Sequence, residues 1–166
     1  MGAAATLQAA AETNHCAALI LDSPFSSIHD IVSRHCWLLL GLPRYPFSSL
    51  FLFWFGRLAD FDPERVDCHK AMVRAKPVPL MIITSEGDLR MGTAGARALR
   101  DESRARLKVL KVYGMEVGHG SAGRIYPEPY GSLLVGFLNG AVGSTIGRGE
   151  NGGVFTASSE REGFPK

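Results

Sequence analysis

Two residues of the sequence, Asp88 and His119, have the types and the surroundings that acid–base catalysis requires. Asp88 follows an apolar run at residues 79–84, and His119 stands between two glycines after a second run at residues 107–113. Such runs are typical of buried parallel strands, and groups that follow parallel strands gather in one crevice at the carboxyl edge of the sheet. A carboxylate that orients an imidazole provides two members of a nucleophilic triad. The pattern therefore predicts a catalytic acid and base that still need a nucleophile.

The elements that would position these two residues alternate between strands and helices. Residues 2–12 are rich in alanine, which favours a helix packed closely on a sheet, and residues 17–21 form a short apolar strand. Residues 91–106 predict a helix with one solvated face. A last helix should bury one stripe of residues at helical spacing, namely Tyr130, Leu133, Leu134, Phe137 and Leu138. The sequence thus predicts an α/β fold of three layers.

The order of these features resembles the C-terminal half of α/β-hydrolases, in particular the serine peptidase-like and esterase-like branches. The residues that carry the resemblance are Pro-Val-Pro-Leu-Met-Ile-Ile-Thr-Ser-Glu-Gly-Asp at 77–88, Gly-His-Gly at 118–120 with an apolar helix after it, and Asp-Ser-Pro-Phe at 22–25. The match covers roughly residues 1–138. It implies a partial α/β-hydrolase fold, about three parallel strands flanked by helices, that acts on ester, thioester or peptide-like acyl bonds of a small-molecule or peptide-like substrate.

The nucleophile of that family is a serine in a Gly-x-Ser-x-Gly turn between a strand and a helix. Residues 1–5, Met-Gly-Ala-Ala-Ala, are similar to the residues that follow this serine, which makes Met1 a candidate for the oxyanion hole. The resemblance implies a chain truncated just after the nucleophile, either genuinely or through a misassigned start codon. Since no serine in the sequence stands in a Gly-x-Ser-x-Gly context, we expect residues 1–166 to be inactive.

A second acid, Asp22, also follows an apolar strand and is an alternative to Asp88 as the catalytic acid. In some hydrolases the acid does follow this earlier strand. Asp22 could equally hydrogen-bond its own turn ahead of Pro24, as aspartate readily does. Asp88 is favoured because its turn matches the family pattern better, and both acids stay open on sequence grounds.

Residues 31–60 differ in character from the rest of the chain. Two apolar clusters, residues 37–42 and 50–55, are separated by Arg44 and two prolines, which interrupt the stretch before it reaches membrane-spanning length. We expect an inserted cap of short helices. In the hydrolases that the chain resembles, such a cap shapes an apolar substrate pocket, with Trp37, Phe51, Trp54 and Phe55 as the candidates here. Equally, these aromatic residues could fill a core between cap and sheet.

A non-catalytic protein that holds a lipid or a protein partner through this apolar cap is the alternative function. Residues 1–6 fit the N-myristoylation pattern Met-Gly-x-x-x-Ser/Thr, although tight packing of a helix explains the small residues better. Membrane association is therefore less favoured than a cytoplasmic location. The strand at residues 17–21 would lack its central neighbour, so self-association through its open edge is expected.

Composition and spacing narrow the function further. A net charge of +2 without a basic run gives no reason to expect a nucleic-acid partner. The glycine-rich residues 118–123 lack the lysine of a phosphate loop, and neither a metal nor another cofactor is expected. An odd number of cysteines favours free thiols in a reducing compartment, these being Cys16, Cys36 and Cys68. Residues 1–139 are predicted to form the hydrolase domain, and the glycine-rich residues 140–166 a flexible tail.

Overall fold

The computed structural model describes residues 2–13, 15–60 and 62–146. Its centre is a parallel sheet of three strands in the spatial order β1 (Leu19–Asp22), β2 (Leu80–Ser85) and β3 (Lys108–Tyr113). Leu80 lies opposite Leu19 on one side and opposite Lys108 on the other. Because the strands are parallel, all three end at the same edge of the sheet. The predicted α/β class with three parallel strands is confirmed, and each strand bound lies within two residues of the prediction.

Seven α-helices accompany the sheet within the described residues. In chain order they are α1 (Gly2–Thr13), α2 (Ile28–Leu40), α3 (Ser49–Ala59), α4 (Cys68–Arg74), α5 (Thr93–Glu102), α6 (Ala122–Ile125) and α7 (Pro127–Ile146). Side chains cap two of them, since Ser27 accepts from the amide of Asp30 and Asp67 accepts from that of Lys70. The helix predicted at residues 91–106 is shorter than expected, because Gly92 lies at a φ of 68° before it and Ser103 is extended after it.

The central strand β2 is buried on both of its faces. Leu80 and Ile82 belong to one apolar cluster, to which α1, α4 and α5 contribute, and Met81 and Ile83 belong to a second cluster together with Phe137 of α7. Alternate residues of a strand point to opposite faces, so a continuous apolar run is what a strand between two helical layers requires. The predicted three-layer arrangement is therefore present.

The last helix packs against the sheet largely as predicted, but it is longer. Phe137 is buried and Leu138, predicted to be buried as well, is 43% exposed. The predicted flexible tail from residue 140 is wrong for residues 140–146, which continue α7 to Ile146. Ala141 is buried there, and such packing outweighs the unfavourable helix propensity of the glycines around it. Residues 147–166 of the predicted tail lie outside the described residues.

The predicted cap consists of two helices that follow β1 directly. α2 ends at Gly41, whose φ of 65° is the left-handed conformation that glycine adopts without strain, and whose amide donates to the carbonyls of Cys36 and Trp37. A kinked segment, Arg44–Ser48, in which Tyr45 has an extended backbone, leads into α3. α2 starts at Ile28, so the helical insertion begins earlier than the predicted residue 31.

Candidate active site

Asp88 lies on the turn after β2, with its side chain buried. One carboxylate oxygen, Oδ1, accepts hydrogen bonds from the amides of Arg90 (3.1 Å) and Met91 (3.0 Å). The other, Oδ2, lies 2.7 Å from Nδ1 of His119. The two amides fix the plane of the carboxylate, and Oδ2 is left to receive the imidazole.

His119 follows β3 and its side chain is 31% exposed. Gly120 after it has a φ of 60°, which lets the loop turn immediately behind the histidine. With Nδ1 on Asp88, Nε2 is the second ring nitrogen, and it makes no hydrogen bond within the described part of the chain. The structure thus brings the two residues predicted from the sequence together at the carboxyl edge of the sheet, with one ring nitrogen oriented and the other open to a reactant.

The loops that carry these two residues pack backbone against backbone. A β-carbon added at Gly87 would lie 2.2 Å from the carbonyl oxygen of Met115 and 2.6 Å from that of Val117. No side chain fits in that space, so residue 87 has to be glycine for the two loops to approach. This contact sets the separation between the turn of Asp88 and the loop of His119.

The alternative acid, Asp22, has other partners. Its Oδ2 accepts from the hydroxyl of Tyr130 (2.8 Å) and its Oδ1 from the hydroxyl of Ser23 (2.9 Å). The Ser23 oxygen in turn accepts from the amide of Gly120 (3.3 Å). Among the described residues no hydrogen bond joins Asp22 to His119. Asp22 therefore ties the end of β1 to α7, and Asp88 is the acid that pairs with the histidine.

The carboxylate of Asp22 also affects the tyrosines around it. Burial, followed by the hydrogen bond to Asp22 and the charge of this carboxylate, raises the pKa of Tyr130 to about 12. Burial and then the same charge raise the pKa of Tyr113. Both shifts favour the neutral phenol, because burial disfavours a phenolate and ionisation would place a second negative charge beside Asp22.

Three polar residues at this edge of the sheet were missed by the analysis of the sequence. Ser23 is buried and has a φ of 49°, a left-handed conformation that is unusual for serine. The hydroxyls of Thr84 and Ser85, at the end of β2, are buried and have no hydrogen-bond partner among the residues described. The Asp-Ser-Pro sequence signals a turn at Ser23, but no sequence pattern marks the hydroxyls of β2.

One of the four predicted pocket residues lines a cavity. Trp37 lines an open cavity of about 650 Å³ between α2 and the start of α5, where Leu89 and Met91 of the Asp88 turn also lie. The other candidates on α3 do not line this cavity and are exposed, these being Phe51, Trp54 and Phe55. The alternative in which the aromatic residues fill a core is wrong for the described structure, since they stay at its surface. The predicted oxyanion-hole residue, Met1, lies outside the described residues.

Cys68 and His69 are neighbours on α4 and lie outside the Asp88–His119 pair. Cys68 is fully buried, and burial raises the pKa of its thiol to about 11, which keeps it protonated near neutral pH. Its neighbour His69 pairs through Nδ1 with Glu102 at 2.7 Å, away from the sheet edge on α4 and α5. Within the described ranges, no group of three or more His, Cys, Asp or Glu residues is arranged to hold a metal ion.

The fold is shared with hydrolases of the α/β class. Esterase Pf2001 of Pyrococcus furiosus is 18% identical, with a TM-score of 0.61 over 82% of this chain and 49% of the esterase. MGS-M2, an α/β hydrolase enzyme from a Medee basin deep-sea metagenome library, is 17% identical, with a TM-score of 0.54 over 83% of this chain and 62% of that protein. The chain has a partial α/β-hydrolase fold and spans about half the length of the esterase. No protein-family model and no curated protein matches the sequence.

Proposed function

We propose that this chain provides the acid and the base of a serine-type α/β-hydrolase that cleaves ester, thioester or peptide-like acyl bonds. The observation that carries the proposal is the 2.7 Å contact between Oδ2 of the buried Asp88 and Nδ1 of His119. A carboxylate on Nδ1 holds the neutral imidazole in the tautomer whose Nε2 accepts a proton. The esterase and the α/β hydrolase that share the fold support an acyl substrate.

Each residue has a defined role in this reaction. Nε2 of His119 takes the proton of a serine hydroxyl as its oxygen attacks the acyl carbon, and then gives that proton to the leaving group. Asp88 stabilises the imidazolium that forms between these two steps, and the amides of Arg90 and Met91 keep its carboxylate in place. Nε2 makes no hydrogen bond among the described residues and the side chain is 31% exposed, which leaves this nitrogen available to a serine hydroxyl.

The nucleophile in this proposal lies outside the described residues. Ser23 is the serine that the histidine loop contacts, but its hydroxyl is held by Asp22 and by the amide of Gly120. Residues 1–5 resemble the stretch that follows the nucleophilic serine of the family, which favours a serine outside the described residues as the nucleophile. On this proposal we expect residues 1–166 alone not to hydrolyse nitrophenyl esters.

The proposal is tested on a chain extended upstream by the in-frame codons that precede Met1. The extended protein should hydrolyse nitrophenyl esters, and His119→Ala should lower kcat/KM by about 10³-fold or more, as removal of a triad member does. His69→Ala is the matched control, because His69 makes an equally short contact with Glu102 away from the site. Ester hydrolysis that His119→Ala leaves unchanged would refute the assignment. A stop codon directly upstream would favour a non-catalytic remnant instead.

A further inference from the structure

The apolar residues of the cap form an exposed surface that the proposed acid–base pair does not use. Of the nineteen large hydrophobic residues that are exposed in the described structure, twelve lie between residues 37 and 58. We define the cap surface by five of them, Trp37, Tyr45, Phe51, Trp54 and Leu58. α3 buries one residue, Leu52, and exposes apolar side chains on its other faces. A helix that is apolar on every face is normally covered by apolar material, so this surface indicates a binding site.

We propose that the cap surface docks on the surface of a lipid bilayer with anionic headgroups. Residues 37–59 contain no Asp, Glu or Lys, and their two charged residues, Arg44 and Arg57, are both positive and exposed. The whole chain has a net charge of only +2, and the charges within residues 37–59 are positive, with Asp30 paired to Arg44 and Asp60 directly after α3 as the neighbouring acids. Aromatic residues and arginines next to apolar side chains suit the boundary between the acyl chains and anionic headgroups of a membrane.

The aromatic residues of the cap surface support a bilayer over a protein partner. Trp37, Tyr45 and Trp54 combine a large apolar ring with a polar group, and such residues are enriched where hydrocarbon meets water. All three are more than half exposed. Phe51 stacks on Phe55 within α3 at 6.1 Å between ring centroids, so the rings form a continuous apolar ridge rather than isolated contacts.

The geometry of the cap favours a position in the interface over a path across the membrane. No single helix among the described residues is long and apolar enough to span a bilayer. α2 and the Arg44–Ala59 segment reach the required length together, but they are bent by 109° at the Gly41 turn. A bend of this size lets both helices lie in the membrane plane, with their apolar side chains at one depth. Arg44 at the bend pairs with Asp30 at 3.5 Å, and both side chains are exposed.

Docking through the cap surface would bring the neighbouring cavity close to the membrane. The cavity of about 650 Å³ has Trp37 and Leu38 on one side and Leu89 of the Asp88 turn on the other. Since Trp37 belongs to both the cavity and the cap surface, a docked molecule holds the cavity opening next to the acyl chains of the membrane. The docking itself does not depend on catalysis, and it can be tested without an activity.

The two tryptophans of the chain, Trp37 and Trp54, both belong to the cap surface, so intrinsic fluorescence reports on this surface alone. Residues 1–166 are mixed with phosphatidylcholine vesicles, with and without phosphatidylserine, and binding is also measured by sedimentation. On binding we expect a blue shift of the tryptophan emission. Partitioning into the vesicles with phosphatidylserine should be at least about tenfold stronger than into those without it. This preference should be lost in Arg57→Glu or at high salt.

The double variant Phe51→Ser, Leu58→Ser should bind at least about tenfold more weakly, since it removes two apolar side chains from the docked face. Its matched control is the double variant Met115→Ser, Val135→Ser. It changes two exposed apolar residues outside the cap and should leave vesicle binding unchanged. Absence of a blue shift with either vesicle overturns the proposal. A blue shift that needs no vesicles and follows dimer formation in light scattering also overturns it, because a second copy then covers the surface. Vesicle binding that the cap variant does not weaken overturns it as well.

Discussion

The amide nitrogen of Gly120 lies 3.3 Å from the Oγ of Ser23, although the two residues are 97 positions apart in sequence. Ser23 is at the end of β1, with a φ of 49° that costs a residue with a β-carbon roughly 1–2 kcal/mol. Its hydroxyl also donates to Asp22 at 2.9 Å. A strained serine directly after the first strand therefore holds the loop that carries His119, and backbone strain at such a position is a feature of functional sites.

Two substitutions of Ser23 separate the backbone strain from the hydrogen bonds. Ser23→Ala keeps the β-carbon in the left-handed region and removes both hydrogen bonds, so we expect the free energy of unfolding to fall by about 1–3 kcal/mol. Ser23→Gly removes the same bonds but relieves the strain, so its loss should be about 1 kcal/mol smaller. Urea denaturation measures both values. A glycine variant no more stable than the alanine variant would show that the φ of Ser23 is not strained.

Gly87→Ala should disrupt the packing between the two site loops. The added β-carbon would meet two carbonyl oxygens of the β3 loop at 2.2 and 2.6 Å, so the backbone has to move, and we expect a loss of about 2 kcal/mol or more. Gly131→Ala in α7 is the matched control, since nothing lies within 4 Å of its added carbon and alanine favours a helix by about 1 kcal/mol. Urea denaturation should order the proteins as Gly131→Ala, wild type, Gly87→Ala. Equal stability of the two alanine variants would contradict the close approach at Gly87.

Asp88 is predicted to determine which nitrogen of His119 carries the proton. Asp88→Asn keeps an oxygen for the amides of Arg90 and Met91 but offers an N–H to Nδ1, so the ring proton should move to Nε2. Nitrogen NMR of the histidine ring distinguishes these tautomers. Asp88→Ala leaves the amides and the ring without an acceptor, and we expect it to cost about 2–4 kcal/mol of stability, more than Asp88→Asn. A tautomer unchanged in Asp88→Asn would argue against the contact.

The sequence predicted the position of a residue best where the local pattern alone determines that position in the fold. Asp88 follows an apolar run that is too long and too uniform for an exposed strand, His119 follows the next predicted strand, and parallel pairing then puts both residues at one edge. The partner of Asp22 could not be predicted in this way. Tyr130 reaches it from α7, 108 positions along the chain, and the choice between Asp22 and Asp88 depends on that hydrogen bond.

Other features depend on what each segment packs against, which composition does not reveal. The glycines after residue 139 predicted a flexible tail, but burial of Ala141 continues α7 to Ile146. The aromatic residues of the cap predicted either a pocket or a core, and α3 instead presents Phe51 and Trp54 at the surface. The left-handed φ of Ser23 likewise arises from contacts with distant residues rather than from its neighbours in sequence.

The hydrogen bond from Tyr130 to Asp22 should make the stability of the fold depend on pH in the alkaline range. The pKa of Tyr130 is about 12 in the folded chain, mainly through burial and then through Asp22, and about 10 in an unfolded chain. The folded state holds the Tyr130 proton more tightly than the unfolded chain does. The contribution of Tyr130 to the free energy of unfolding is therefore complete below pH 10 and is lost as the pH rises towards 12. At neutral pH we expect Tyr130→Phe to lower the free energy of unfolding by about 1–2 kcal/mol. Urea denaturation at a series of pH values should show the difference in free energy of unfolding between wild type and Tyr130→Phe shrinking above pH 10. The same difference measured in an Asp22→Asn background should shrink less. A difference that stays constant from neutral pH to pH 12 would contradict the raised pKa of Tyr130.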